Sequence, residues 1–229
     1  MVRILFVIAT NIESEPLLRF LANYESDHQK RINSFKYNNL DIDVLTTGMG
    51  ISSTIYWLTK TLQNNRYDIC FNLGICGSYS HSSNIGDVYW VDRESFANYG
   101  FIDESVFKHA FESKLIKEET YFRDNILHSP ATIKIDTIEA LNKAQGATVI
   151  NYTGEVIRST NAFVPQIETM EGAAFFFVCL LEKIPFFELR SISNLVIQQD
   201  KKQWNIPLAI KTLSVKVKEI LDELNAKQL

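Results

Sequence analysis

The stretch Ile167–Asn194, IETMEGAAFFFVCLLEKIPFFELRSISN, carries a whole structural unit. Gln166–Glu171 forms a short strand, Gly172 opens the helical run GAAFFFVCLLEK, and Pro185 stands at the start of a second strand, IPFFELRSIS. Strand, helix, strand is the βαβ repeat of a sheet with helices packed on its faces. The same stretch raises a chemical question, because Glu168 and Glu171 stand at the mouth of the greasiest helix in the chain. A buried carboxylate is costly unless it is paired or used, whereas at a helix N-terminus the macrodipole favours negative charge without any further role.

Outward from this unit the alternation repeats. VRILFVIAT is a buried strand and SEPLLRFLANY a helix; RINSFKY and LDIDVLTT form a hairpin about Asn38-Asn39. Gly48-Met49-Gly50 then opens the helical ISSTIYWLTKTL, YDICFNLGICG is a strand ending in glycines, and IGDVYWVDR is a further strand. Residues 94–130 are polar, aromatic and aperiodic, which predicts long loops with short helices over the sheet. IDTIEALNKA predicts a helix, GATVINYTG a strand, and PLAIKTLSVKVKEILDEL a terminal helix begun by Pro207. The expected architecture is a single domain over residues 1–229, a three-layer α/β/α sandwich with a mostly parallel, mixed central sheet.

Composition narrows the functions. With 229 residues, 46% hydrophobic content and a net charge of -4, the chain has no basic stripe for a phosphate backbone, so no nucleic-acid partner is expected. VRILFVIA follows Met1 without a basic leader, and the longest apolar run, Ala173–Leu181, is too short to span a bilayer; a cytoplasmic protein with no membrane partner is expected. Cys70, Cys76 and Cys179 lack metal-ligand spacing and are expected as reduced core thiols, with no metal site. His28, His81, His109 and His128 are scattered without mutual spacing. The glycine turns at Gly48-Met49-Gly50 and Gly74-Ile75-Cys76-Gly77 match neither a dinucleotide fingerprint nor a P-loop, so no redox cofactor or triphosphate is expected.

Five segments in order, VIATNIESEPLL from Val7, TTGMGISST from Thr46, NLGICGSYSHSSNIGDVYWVD from Asn72, the Ile167–Asn194 unit and QWNIPLAI from Gln203, resemble the purine nucleoside phosphorylase and nucleosidase superfamily over nearly the whole chain. Within it, RESFANYGFID, MEGAAFFFVCLLEKIPF, SISN and WNIPLAI look most like the futalosine hydrolase group. The resemblance implies cleavage of a purine N-glycosidic bond without cofactor or metal, a small nucleoside as substrate, and assembly as a homo-oligomer. For the futalosine hydrolase group it implies release of hypoxanthine in menaquinone biosynthesis; the alternatives are a purine nucleosidase of the inosine or methylthioadenosine/S-adenosylhomocysteine type and a non-catalytic nucleoside-binding module on the same scaffold.

Such cleavage passes through an oxocarbenium-like sugar, which needs a carboxylate at the ribose, a water activator and a group that stabilises the departing base. By the family motif, Glu171 accepts from ribose hydroxyls, Met170 is the apolar floor, and Gly74, Ile75, Ser193, Val149 and Ile150 belong to the substrate-binding set. Relatives carry a glutamate where Thr169 stands; Glu168, one place earlier, is expected on the opposite face of the strand in a structural role. IESEPLL aligns Glu13 with the water activator, with Glu15 the competing choice on a first helical turn. Asn194 takes the leaving-group position, where adenine-specific relatives hold Asp; an amide matches a 6-oxopurine, and the alternative is a turn-forming Asn. Phosphorylases of the family bind phosphate partly through Arg-x-Gly-Ser, and Asn72-Leu73-Gly74-Ile75 lacks both cation and hydroxyl. Arg19 is near, though offset from, another phosphate-binding arginine, so water is the expected nucleophile. Trp204 and Pro207 are expected to dock the last helix, Phe175–Phe177 to be core or interface, and Arg93, Lys108 or Arg158 to offer a partner for a benzoate tail.

Overall fold

The computed structural model describes residues 2–28, 31–97, 99–104, 106–110, 121–130, 133–151, 164–197 and 200–227. The chain runs β1 (Val2–Ile8), α1 (Asn11–Leu21), β2 (Glu25–His28), β3 (Ile32–Tyr37), β4 (Leu40–Thr46), α2 (Ile51–Asn64), β5 (Ile69–Ser78) and β6 (Val88–Phe96). It continues with β7 (Gly100–Asp103), β8 (Val106–His109), β9 (Phe122–Arg123), β10 (Ile126–His128), α3 (Asp136–Glu139), β11 (Asn142–Thr148), β12 (Ile167–Thr169), α4 (Gly172–Leu181), β13 (Phe186–Leu195) and α5 (Ile206–Lys227).

Strand β1 lies in parallel between β4 and β5, so Ile4 stands between Ile42 and Ile69, and a strand buried on both sides is apolar on both faces. Phe6, Ile8 and Phe71 pack under α1, α3 and α5, while Leu5, Val7 and Cys70 pack under α2 and α4. These are the expected three layers around a mixed sheet. Phe175 and Phe176 are wholly buried in the second layer, as the expected core placement requires, and the three cysteines are free and buried.

Sequence periodicity fails in two places. Among the described residues of 94–130 there are strands in place of the expected short helices: β6 runs on to Phe96, β7 and β8 form a hairpin, and β10 pairs with β6. The helix expected over IDTIEALNKA stops at Glu139, because Asn142–Ala144 are drawn into parallel pairing with Tyr89–Val91 and ladder bonds outweigh a weak helical preference.

The larger consequence concerns the other half of the sheet. β5 pairs with β12, β12 with β11, β11 with β6, β6 with β13, and β13 with β5 again, so these strands close into a ring. Cys76, Val91, Ala144, Ile167 and Ile192 fill one level of its interior. Continuing along the same faces, with a register shift that skips Asp92 in β6 and so brings Glu94 round, places Asn72, Glu94, Thr148, Thr169, Glu188 and Arg190 in the interior beyond it, and all six are buried. Gly74, Gly146 and Gly172 make room for this polar level: a β carbon on Gly74 would strike the Arg190 guanidinium, and one on either other glycine would strike Glu94.

Candidate active site

A cavity of about 310 Å³ opens at the carboxyl ends of β1, β5 and β13, the edge at which α/β sheets gather ligands. Glu13, Met49, Ile75, Gly77, Val149, Glu168, Met170, Glu171, Ser193, Asn194 and Trp204 are among the residues of its wall. The chain brings these together from seven separate stretches, which is why no single motif announced the site.

Glu13 arrives on the first turn of α1. Thr10 caps that helix and its hydroxyl accepts from the Glu13 N–H at 3.3 Å, while the same hydroxyl donates to Glu13 Oε2 at 2.6 Å. The other carboxylate oxygen accepts from the Ile75 N–H at 3.1 Å. A carboxylate held at both oxygens by neutral donors, on the cavity wall, is placed to take a proton from water. Glu15 instead points into solvent and pairs with Arg19 at 2.6 Å across one helical turn, so the same ion pair occupies the arginine considered for phosphate.

Glu171 occupies the N-cap of α4 and makes no side-chain bond to its own helix. The exposed amides of α4 are met instead by threonines: Gly172 N–H donates to Thr169 Oγ1 at 3.3 Å and Ala173 N–H to Thr148 Oγ1 at 2.6 Å. Glu171 is 5% exposed and turns to the cavity, accepting from the Gly50 N–H at 2.9 Å and standing 3.7 Å from Arg190 Nη1. Gly50 has φ of 90°, a left-handed conformation that glycine adopts freely, and this aims its N–H at the carboxylate. Burial pushes the Glu171 carboxyl up, with Arg190 and the Gly50 amide opposing.

Arg190 is the residue that the sequence reading missed. Its Nε donates to Glu188 Oε1 at 2.7 Å, Nη2 donates to Asn72 Oδ1, and the guanidinium lies against Gly74. The cation absent at position 72 therefore comes from β13. It is engaged by Glu188, Asn72 and Glu171 and is 1% exposed, so it is not presented as an open anion clamp. Burial works against the charge of Arg190, but Glu188 and Glu171 hold it firmly protonated. Behind it, Glu94 accepts from Thr148 and Thr169 hydroxyls at 2.9 Å each, and burial followed by repulsion from Glu188 pushes its carboxyl well up. The available signal was Glu188 and Arg190 two apart in a strand, flanked by Phe186, Phe187, Leu189 and Ile192.

A register shift between Ile192 and Asn194 bulges β13 at Ser193 and sets Asn194 opposite Gly77. The amide is held by Ser193 Oγ at 2.8 Å on Oδ1 and by the Leu195 carbonyl at 3.2 Å on Nδ2, leaving a lone pair and one proton for a ligand. The alternation expected at Glu168 and Thr169 holds, but the inference drawn from it reverses. Thr169 points into the ring interior, and Glu168, on the opposite face, lines the cavity.

Met170 and Val149 belong to the wall. Ile75 contributes its backbone N–H to Glu13 as well as its side chain, while Gly74 lies behind the wall against Arg190. Ile150 is 74% exposed and stands apart from the lining. Trp204, expected only to dock α5, faces the cavity because the turn before α5 folds back over Ser193, whose carbonyl receives the Asn205 N–H at 2.9 Å. Of the cations considered for a benzoate, Lys108 is paired with Asp103 at 2.5 Å, Arg93 is not in the wall, and Arg158 lies outside the described residues.

Residues 3–224 match the family model described as the phosphorylase superfamily. The chain is 27% identical to the futalosine hydrolase of Thermus thermophilus, over 78% of this chain and 80% of that one. It is 26% identical to the 5′-methylthioadenosine/S-adenosylhomocysteine nucleosidase of Psychromonas ingrahamii, over 80% of this chain and 82% of that one. A futalosine hydrolase mutant from Helicobacter pylori superposes with a TM-score of 0.81 at 20% identity, covering 98% of this chain and all of that one, a likeness of fold. Among the described residues no helix is long and apolar enough to cross a membrane.

Proposed function

The chain belongs to the phosphorylase superfamily, and from that premise we propose that it is a nucleosidase that hydrolyses futalosine and releases hypoxanthine. The observation that carries this reading is the pairing, in one cavity, of Asn194 with two separately held carboxylates, Glu13 and Glu171. Glu13 takes a proton from water as the water oxygen attacks the anomeric carbon. The glycosidic bond breaks with its electron pair leaving on the base, and Glu171 accepts from the ribose hydroxyls as the sugar gains cationic character.

Asn194 sets the base. Its Nδ2 donates to a 6-oxo group while Oδ1 accepts from the imidazole nitrogen as that nitrogen takes up a proton from solvent and neutralises the departing base, a pattern that opposes an adenine amine. Hydrolysis is favoured over phosphorolysis because Ile75 walls the cavity where phosphate would want a hydroxyl, and because Arg190 is saturated by its own partners.

The test is chromatography of products from futalosine, inosine and S-adenosylhomocysteine, with and without phosphate. Hypoxanthine and a free sugar product from futalosine, at a rate indifferent to phosphate, are expected. Strict phosphate dependence with a sugar phosphate product would overturn hydrolysis, and preferential adenine release would transfer the enzyme to the methylthioadenosine/S-adenosylhomocysteine type.

A further inference from the structure

Glu168 has no task in the mechanism above, yet its position is specific. It lies opposite Gly77 across the β12–β5 ladder, and Asn194 lies opposite the same glycine across the β13–β5 ladder. Residues paired in register project on the same face, so the glutamate and the asparagine flank a residue that has no side chain. A β carbon on Gly77 would meet Glu168 Cγ and Oε1 and Val196 Cγ2, all at 3.1 Å, so the glycine leaves a slot that any other residue would close.

The carboxylate is held from one end only. Tyr79 donates its hydroxyl to Oε2 at 3.3 Å, and among the described residues Oε1 has no hydrogen-bond partner although Glu168 is only 9% exposed and lines the cavity. A carboxylate so enclosed costs free energy unless something accepts the interaction it offers. Burial pushes its pKa up with only Tyr79 opposing, which agrees with an acceptor awaiting a donor.

Resting on the proposed nucleosidase activity, we infer that Glu168 is a second base-reading residue, whose Oε1 accepts the N1–H of a 6-oxopurine while Asn194 meets O6 and the imidazole nitrogen. Around the six-membered ring, hypoxanthine presents an acceptor at O6 and then a donor at N1. Adenine presents a donor at the 6-amine and then an acceptor at N1. A neighbouring amide N–H and carboxylate match the first order and oppose the second at both atoms. In the leaving base the carboxylate also favours the form that keeps its N1 proton.

Three substrates with one common sugar and tail provide the test: the hypoxanthine, N1-methylhypoxanthine and adenine nucleosides. For the wild type, kcat/KM is expected to fall about 10- to 100-fold on N1-methylation, the range of a hydrogen bond to a charged group. In Glu168→Ala the hypoxanthine substrate should lose a similar factor, and the N1-methyl penalty should vanish. Glu168→Gln retains the volume and carries the test if the alanine variant does not fold; its amide can turn to donate, so its preference for hypoxanthine over adenine should drop about 10-fold or more. If folded Glu168 variants keep the wild-type ratios and the wild-type methylation penalty, Glu168 does not read the base, and the futalosine reading survives without it. If the wild type cleaves none of the three, that reading falls and this one with it.

Discussion

The sheet has an open half, β2 through β1, and a closed half, the ring of β5, β12, β11, β6 and β13, and they are built on opposite rules. In the open half the central strand β1 shows apolar side chains to helices on both faces: Ile4, Phe6 and Ile8 one way, Leu5 and Val7 the other. In the closed half one face looks inward on other strands, and half of that interior is polar, with Arg190 among Glu188, Glu171 and Asn72 and with Glu94 behind. Burial in the open half stabilises by removing apolar area from water. In the closed half it is tolerated because Arg190 meets Glu188, Asn72 and Glu171 while Glu94 meets two threonines, and of these Glu171 reaches the cavity wall. Stability is therefore spread over many residues on one side and concentrated in a few on the other.

The comparison breaks most visibly at Arg190. Arg190→Met should cost about 3–5 kcal/mol, since removing one member of a buried ion network leaves its carboxylates uncompensated. Ile4→Val, in an equally buried place of the open half, should cost about 0.5–1.5 kcal/mol. Denaturant unfolding of both variants checks this, and similar losses would mean that the buried charges are worth no more than a methylene.

Next in size is the contrast within α1, whose first turn alone touches the cavity. Glu13→Gln should bind substrate but lose turnover by roughly 100-fold or more, the range for removing a general base. Glu15→Gln should retain the rate and forfeit only its surface pair with Arg19, worth about 0.3–0.5 kcal/mol. Single-turnover kinetics with equal folded fractions distinguishes them; the reverse pattern would move the water activator to Glu15.

The smallest effect is in pH dependence, where the ring interior and the helix layer outside it should carry opposite signs. Burial in the ring raises the carboxyls of Glu94, Glu188 and Glu171, so the folded state keeps protons that the unfolded chain has shed above about pH 4.3. Stability from this source falls as pH rises toward those raised values. At the α3–α5 contact burial opposes the charge of Glu223, but Lys227 and the Thr137 and Asp136 amides hold it down to about 2; that contribution is lost as pH falls through the same value. Melting temperatures from pH 2 to 8 should show Glu94→Gln flattening the neutral limb and Glu223→Gln flattening the acid limb. A change of the same sign in both would refute the division.

Legibility followed the same line. Open-half strands alternate between a core and a core, and VRILFVIAT and LDIDVLTT were readable as they stand. Glu13 was legible through the resemblance of IESEPLL to the family's motif, whereas the Thr10 cap that holds its carboxylate on the cavity wall emerged only from the structure. Glu168 was misplaced although its alternation was right, because a strand's period says that two faces exist and not which one carries a cavity. Glu94 lay inside a segment read as loop, since β6 continues past Arg93 by pairing with the distant strands β11 and β10.

By itself the sequence determined the βαβ alternation and the helix that begins at Gly172 through short-range chemistry, and the candidates Glu13, Glu171 and Asn194 through its resemblance to the family. Tertiary structure alone decided that β13 returns to β5 and closes a ring, that Arg190 and Glu94 are thereby interior, and that the bulge at Ser193 sets Asn194 across Gly77 from Glu168. The physical reason is that side-chain periodicity is a property of one strand, whereas inside and outside belong to the pairing of strands distant in the chain. A charged residue on a strand is written the same way whether it faces water or a partner 118 residues away, as Arg190 faces Asn72.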